Sequence, residues 1–436
     1  MVVDAGDLMW KSKTLTTSRM AQQRVKGRLQ LEALAFGGVD AMVLGDADLA
    51  LGLDWIGQQV RDLDLPYVAT NFSCDGVEMP AYRRVEVGEL RVGVLGVMGR
   101  EQAGVCTFKA VVPAVNQALT AMGPVDLVVV LSHQDAAAEE SMAAAVPDID
   151  VVINGHSKKT TPVPILLGES AVQLASGSRG KKLGVATLRL EEGATRFRVE
   201  GQIPDLERKL TRAQERISKT KGQLERAKTD RSASRIEGRL RRLERQAKDA
   251  SARLAAAKEK VAGPTHRVHN TLWSLSEDVD DHEAVKALVQ DAKPRISAAA
   301  TLGVPPADHV SATRAFAGSS ACSGCHVAEH EQWKGTPHAS AWSTLVREGR
   351  ERDLDCWSCH VTGAHHPLGP QHPSQVAELE DVGCEACHGP GQAHVASPAK
   401  TNIIRNPATE VCTDCHDGVK DEGRFDLATY RPLVLH

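Results

Sequence analysis

Residues 322–326 read Cys-Ser-Gly-Cys-His, and the same Cys-x-x-Cys-His spacing returns at Cys356–His360, Cys384–His388 and Cys412–His416. Two thiols three positions apart, with an imidazole on the next residue, suit covalent haem attachment. The thiols form thioethers to the porphyrin and the His binds the iron. With 17 His in 436 residues, chance would put a His after any one pair about 4% of the time. All four pairs carry one. Zinc ribbons place roughly 15–20 residues between Cys pairs. The gaps here are 30, 24 and 24 residues. The expected cofactor is four covalently attached c-type haems, held by Cys322, Cys325, His326, Cys356, Cys359, His360, Cys384, Cys387, His388, Cys412, Cys415 and His416.

Working outward, the segment from Ser311 to His436 holds 11 of the 17 His, whereas all eight Met fall at or before Met142. Methionine ligation is thereby excluded within the segment. The spare imidazoles His330, His338, His365, His366, His372, His394 and His436 can supply a second His to every iron, which lowers the potential relative to a Met/His haem. Cys74 and Cys106 are left over, and read as small buried apolar residues.

Residues 205–262 have a different texture. Leu206, Leu210, Ala213, Ile217, Leu224 and Ala227 form one apolar seam, and Ile236 to Val261 a second with alternating steps of four and three. Both are coiled-coil seams. They fall out of phase across Thr229–Ala233, which predicts two antiparallel helices joined there; one continuous helix with a stutter is the alternative. The hairpin is preferred because the flanking segments Thr195–Gln202 and His266–Ser276 read as strands.

Residues 1–203 alternate β-branched apolar runs (Met1–Val3, Ala41–Leu44, Val92–Val97, Leu127–Leu131, Val151–Ile153) with helical stretches such as Arg19–Phe36 and Ala114–Met122. That pattern predicts an α/β domain. The expected organisation is an α/β domain over 1–203 plus 264–300, a coiled-coil hairpin inserted at 204–263, and a mainly α or irregular multihaem domain over 311–436.

Net charge is −4, which gives no electrostatic case for a nucleic-acid partner. No run reaches the roughly 18 apolar residues of a membrane span. Attached haem implies export, yet the chain opens on MVVDAGDLMW with no leader. We therefore expect a periplasmic or extracellular protein whose natural start lies upstream. Other redox proteins are the expected partners, with self-association through the hairpin.

The wording around the haem motifs, CSGCHVAEHEQWKGTPHASAW, CWSCHVTG, VGCEACHGPGQAH and CTDCH with a terminal FDLATYRPLVLH, closely resembles the tetrahaem cytochrome c-554 family. The resemblance implies distal ligands at His338, His394 and His436, with His394 serving a haem other than that of its neighbouring motif. His365 or His330 would fill the fourth position, unless that iron is open.

Upstream, DAGDLMW, DAMVLGDADLALGLDWI, ATNFS, VVVLSHQ, VVINGHSKK and ASGSRGKKLGVATLRL follow the order of the calcineurin-like metallophosphoesterases, most like secreted 5′-nucleotidases. That family implies an α/β sandwich with a two-metal centre of Asp, Asn and His at strand ends, which activates a hydroxide on a phosphate ester. Asp7, Asp46, His133 and His156 fall on ligand positions and would hold a divalent metal if one binds. The Asn-His pair of the family reads Asp46-Ala47, and Ala47 cannot protonate a leaving group. The last His position is Lys158, whose charge opposes a metal. The expected function is electron transfer through bis-His haems, with the α/β domain as scaffold or docking module. A metal-dependent phosphoesterase with a cytochrome appendage and a multihaem reductase with one open iron are the alternatives.

Overall fold

The structure, a computed structural model, describes residues 1–99, 105–168, 170–226, 229–259, 263–276, 278–300, 315–418, 421 and 423–435. It divides into two compact units: Met1–Lys13 with Leu34–Asp280, and Thr14–Ala33 with Asp281–His436.

The first unit is mixed α/β. Its strands are β1 (Val3–Asp4), β2 (Ala41–Met42), β3 (Phe72–Cys74), β4 (Tyr82–Val87), β5 (Leu90–Met98), β6 (Cys106–Phe108), β7 (Leu127–His133), β8 (Val151–Asn154), β9 (Ile165–Leu167), β10 (Ala171–Leu174), β11 (Lys182–Arg189), β12 (Phe197–Val199) and β13 (His266–Ser274). The main sheet runs β4-β5-β7-β8-β10-β9. Its four central strands are parallel, and β4 and β9 close the edges antiparallel. Every residue of β7 is buried, as expected of a central parallel strand covered on both faces. Val115, Ala118 and Met122 of the helix Val111–Met122 pack with Leu95, Val97, Val128, Val130 and Val152 in the core.

Strands β3 and β6 pair antiparallel with Cys74 opposite Cys106, and the two sulfurs form a disulfide. This corrects the reading of both as simple buried thiols. The cysteines are 32 residues apart, and only the tertiary pairing of two short strands reveals them as partners.

A three-stranded sheet, β11-β13-β12, carries a helical arm between β12 and β13. One helix spans Gln202–Glu225 and the other Asp230–Lys258. Thr229 caps the second helix through a reciprocal box with Ser232, which explains the break there. Leu206, Ala213, Thr220 and Leu243 are buried in the arm. Ion pairs Glu207–Lys258 and Lys221–Glu244 cross between the helices in antiparallel order. β12 and β13 are adjacent and run parallel.

The second unit contains the haem motifs, and its boundaries differ from those expected. Most of helix α1 (Thr17–Phe36) and the helix Glu283–Ala299 belong to it, rather than to the α/β domain. The physical reason is the buried face of α1, which is Gln22, Gln23, Gly27 and Leu31 rather than an apolar stripe. Gln22 donates to the carbonyls of Ile296 and Arg352 and accepts from the Leu354 amide. Lys26 pairs with Asp353 and Asp355, and Arg19 with Asp355 at 3.0 Å. Polar groups buried this way need partners, and the 350–355 loop supplies them. Elsewhere the unit is short helical turns around a small core of Phe316, Leu345, Leu354, Trp357, Val361, Val376 and Leu379.

Candidate functional site

Two sites emerge, one in each unit. In the first unit, Asp7 follows β1, Asp46 follows β2, His133 ends β7 and His156 lies two residues past β8. All four stand at the carboxyl ends of parallel strands, where open α/β sheets place their ligand sites. Gly6 and Gly45 bring the first two loops together; a side chain on Gly45 would meet the Asp7 amide at 2.2 Å. Asp48, fully buried, accepts from the amides of Asp7, Met9 and Gly45 and fixes both loops. Burial, reinforced by the charge of Asp7, pushes its carboxyl up to about 7.

The donor atoms of Asp46, His133 and His156 lie within 4.8 Å of one another. His133 Nε2 is 3.0 Å from Asp46 and 3.5 Å from Asp7, and its Nδ1 is 3.0 Å from the Ala5 carbonyl. These residues do not fit a two-metal centre. Lys13, absent from the sequence reading, places its ammonium 2.9 Å from Asp46 Oδ2. Ala47 is buried without a donor side chain, and Lys158 is exposed. Asp7 spends one carboxylate oxygen on the Ala47 amide at 2.8 Å. The cluster is internally neutralised.

A pH dependence follows. Burial opposes the charged form of His133, but hydrogen bonds to Asp46 and Asp7 outweigh it and hold the imidazole up to about 10. A raised folded-state value stabilises fully below the ordinary value near about 6.5 and is lost as pH rises through about 10. The urea midpoint of the first unit, followed by tryptophan fluorescence, is therefore expected to fall across that window. His133→Gln should remove most of the slope; an unchanged slope would contradict the ion-paired assignment.

In the second unit, none of the eight motif cysteines forms a disulfide. Motifs approach one another: the sulfurs of Cys359 and Cys415 lie within 4.8 Å of each other and of a ring nitrogen of His365. The residues fit haem. His360 Nδ1 lies 2.6 Å from the Ala341 carbonyl and His388 Nδ1 2.6 Å from the Ile404 carbonyl. An Nδ1–H committed to a carbonyl orients the ring and leaves Nε2 as the ligand nitrogen. His394 Nδ1 is held similarly, 3.1 Å from the Ala399 carbonyl.

Two pairs of imidazoles lie close together, with their rings tilted. His326 and His394 have ring centroids 6.3 Å apart, and so do His338 and His416. If haem binds, each pair would offer one iron two imidazoles. His338 is held below its usual value by burial and then by His416, which favours the neutral form. Its segment is anchored where Trp333 Nε1 donates to the Val382 carbonyl and the Val382 amide to the His338 carbonyl. His365 is exposed, with Nε2 4.0 Å from Cys359 Sγ. His330 lies tilted against Trp333, with ring centroids 5.5 Å apart, and His372 accepts from the Ser374 amide and contacts the Ala300 carbonyl. His436 lies outside the described residues.

Sequence reasoning missed Glu385, the first variable residue of the third motif. Its side chain is buried and accepts from the amides of Ala317, Gly318 and Gly391 at 2.9, 2.8 and 2.5 Å. One carboxylate thus ties the approach to the first motif, the third motif and the loop that presents His394. A charged residue inside a variable motif position gives no sequence signal of this role.

No helix among the described residues is long and apolar enough to cross a membrane. No curated protein matches the chain. Solved structures similar to it include the sulfate thiohydrolase SoxB of Thermus thermophilus, at 23% identity over 44% of this chain and 36% of that one, with a TM-score of 0.37. A 5′-nucleotidase precursor from Thermus thermophilus matches at 19% identity, 43% and 42% coverage and a TM-score of 0.38. The calcineurin-like phosphoesterase YfkN of Bacillus subtilis matches at 17% identity, 69% and 84% coverage and a TM-score of 0.40. The chain spans only about two fifths of the first two structures. Residues 321–389, which contain the first three Cys-x-x-Cys-His motifs, match the family described as cytochrome c554 and c-prime.

Proposed function

We propose that this chain is an exported tetrahaem electron-transfer protein whose irons are ligated by two imidazoles, with the phosphoesterase-like unit as scaffold or docking module. The observation that carries the reading is the pairing of His326 with His394 and of His338 with His416, each joining a motif imidazole to a distant one. Haem, when bound, supplies a one-electron iron couple; the chain's residues hold, orient and cap it. A donor set without Met sets a low potential relative to Met/His haems. The disulfide between Cys74 and Cys106 supports export, since such bonds persist in oxidising compartments. Other redox proteins are the partners this chemistry fits.

Lys13 on Asp46, together with Ala47 and Lys158, supports a retired hydrolytic site in the first unit. Two assays on the haem-loaded chain test the reading. A reductive titration should consume four electrons per chain. Hydrolysis of nucleotide monophosphates should stay at background with added divalent metals. Brisk turnover abolished by Asp7→Ala or His156→Ala would overturn the scaffold assignment, and uptake of fewer electrons would overturn the tetrahaem one.

A further inference from the structure

The helical arm is charged against the rest of the molecule. Residues 205–259 hold 17 Lys and Arg against nine Asp and Glu, a net of +8 in a chain whose total is −4. The excess is concentrated at the tip: residues 216–245 hold 11 basic and four acidic side chains, a net of +7. The segment from Ser311 to His436 has ten basic and 16 acidic residues, a net of −6 before any haem propionate is added.

The tip's charge is available. Arg226, Arg231, Arg235, Arg239, Arg242 and Arg245 are all exposed, and among the described residues none has an ion-pair partner. The seam residues Leu206, Ala213 and Leu243 are buried, and among the described residues the arm shows no large exposed apolar side chain. Contact through the tip is therefore electrostatic. An amphipathic helix that enters a lipid surface needs an apolar face, and this arm has none among the described residues. At 29 residues the second helix reaches about 43 Å. That is several times the Debye length of about 10 Å at 0.1 M salt. Charges at the arm's base do not neutralise its tip. Arginine forks pair bidentately with carboxylates and with phosphates; the acidic haem-bearing segment supplies carboxylates.

We propose that the arginine-rich tip docks on the acidic haem-bearing segment of a second copy of this chain. The contact joins two different surfaces, so it is head-to-tail and propagates into rings or open chains of copies. It stands independently of how the irons are ligated.

Light scattering on the haem-loaded full chain tests it at about 0.01 M and about 0.5 M salt, conditions that lengthen and shorten electrostatic reach. The expected result is particles of two or more copies at low salt and single copies at high salt. The triple variant R239E/R242E/R245E, which leaves the buried seam intact, should weaken association at least about tenfold at low salt. Its helix content and haem spectrum should match the parent. Single copies of the parent at low salt would overturn the proposal. So would parent-like association by the variant, or single copies that instead sediment with phosphatidylglycerol vesicles, which would assign the tip to lipid phosphate.

Discussion

Replacing His394 with Ala is expected to convert one of the four irons from low-spin to high-spin while leaving all four haems attached. The imidazole of His394 faces His326, 6.3 Å away, although His388 is only six residues off in sequence. Its loss should open the iron of the first motif rather than the third. Carbon monoxide, which needs an open position, should then bind one reduced haem per chain. Carbon monoxide binding unchanged from the parent would show that His394 ligates nothing.

A second large effect is expected at Glu385, which touches no iron. Hydrogen bonds from backbone amides to a carboxylate contribute about 1.5–3 kcal/mol each. Glu385 accepts three from buried or half-buried groups. Glu385→Ala would leave those amides without an acceptor and is expected to cost about 3–5 kcal/mol. Its particular signature should be at the first haem, since the carboxylate holds both Ala317–Gly318 and the loop that presents His394. We expect thermal loss of low-spin character at one haem before the others. Glu385→Gln keeps one acceptor oxygen and should recover part of the effect. Uniform destabilisation of all four haems, or none, would remove the organising role.

How far the sequence carries this account depends on whether the relevant contacts are local. The Cys-x-x-Cys-His motifs are covalent chemistry written at fixed spacing. The central strands β5, β7 and β8 are legible from their β-branched runs, because a strand buried on both faces has few other compositions. The two arm helices are legible because each seam is periodic and Thr229 interrupts the phase. The affiliation of α1 is not, because its buried face is Gln22 and Gln23, residues that any pattern search places on a solvent face. Their partners, Ile296, Arg352 and Leu354, lie some 270–330 residues away.

The candidate sites divide in the same way. Asp7, Asp46, His133 and His156 are identified by order along the chain, and they do converge. Lys13 was missed because no motif marks a lysine six residues past Asp7 as the partner of Asp46. The candidate distal imidazoles are visible as a surplus of His, but which of them approach a motif imidazole depends on the fold. His365 and His330 show why: both are near a motif in sequence, but His365 Nε2 lies 4.0 Å from Cys359 Sγ and His330 lies against Trp333, contacts that sequence position alone does not give.

The central claim is that two imidazoles cap the irons of an electron-transfer protein. Near-infrared magnetic circular dichroism of the oxidised, haem-loaded chain tests it most directly, because the ligand-to-iron charge-transfer bands report the axial donors. The account predicts low-spin His/His bands for at least three of the four haems and no sulfur-to-iron band. A sulfur-to-iron band, or a spectrum dominated by high-spin iron, would contradict it.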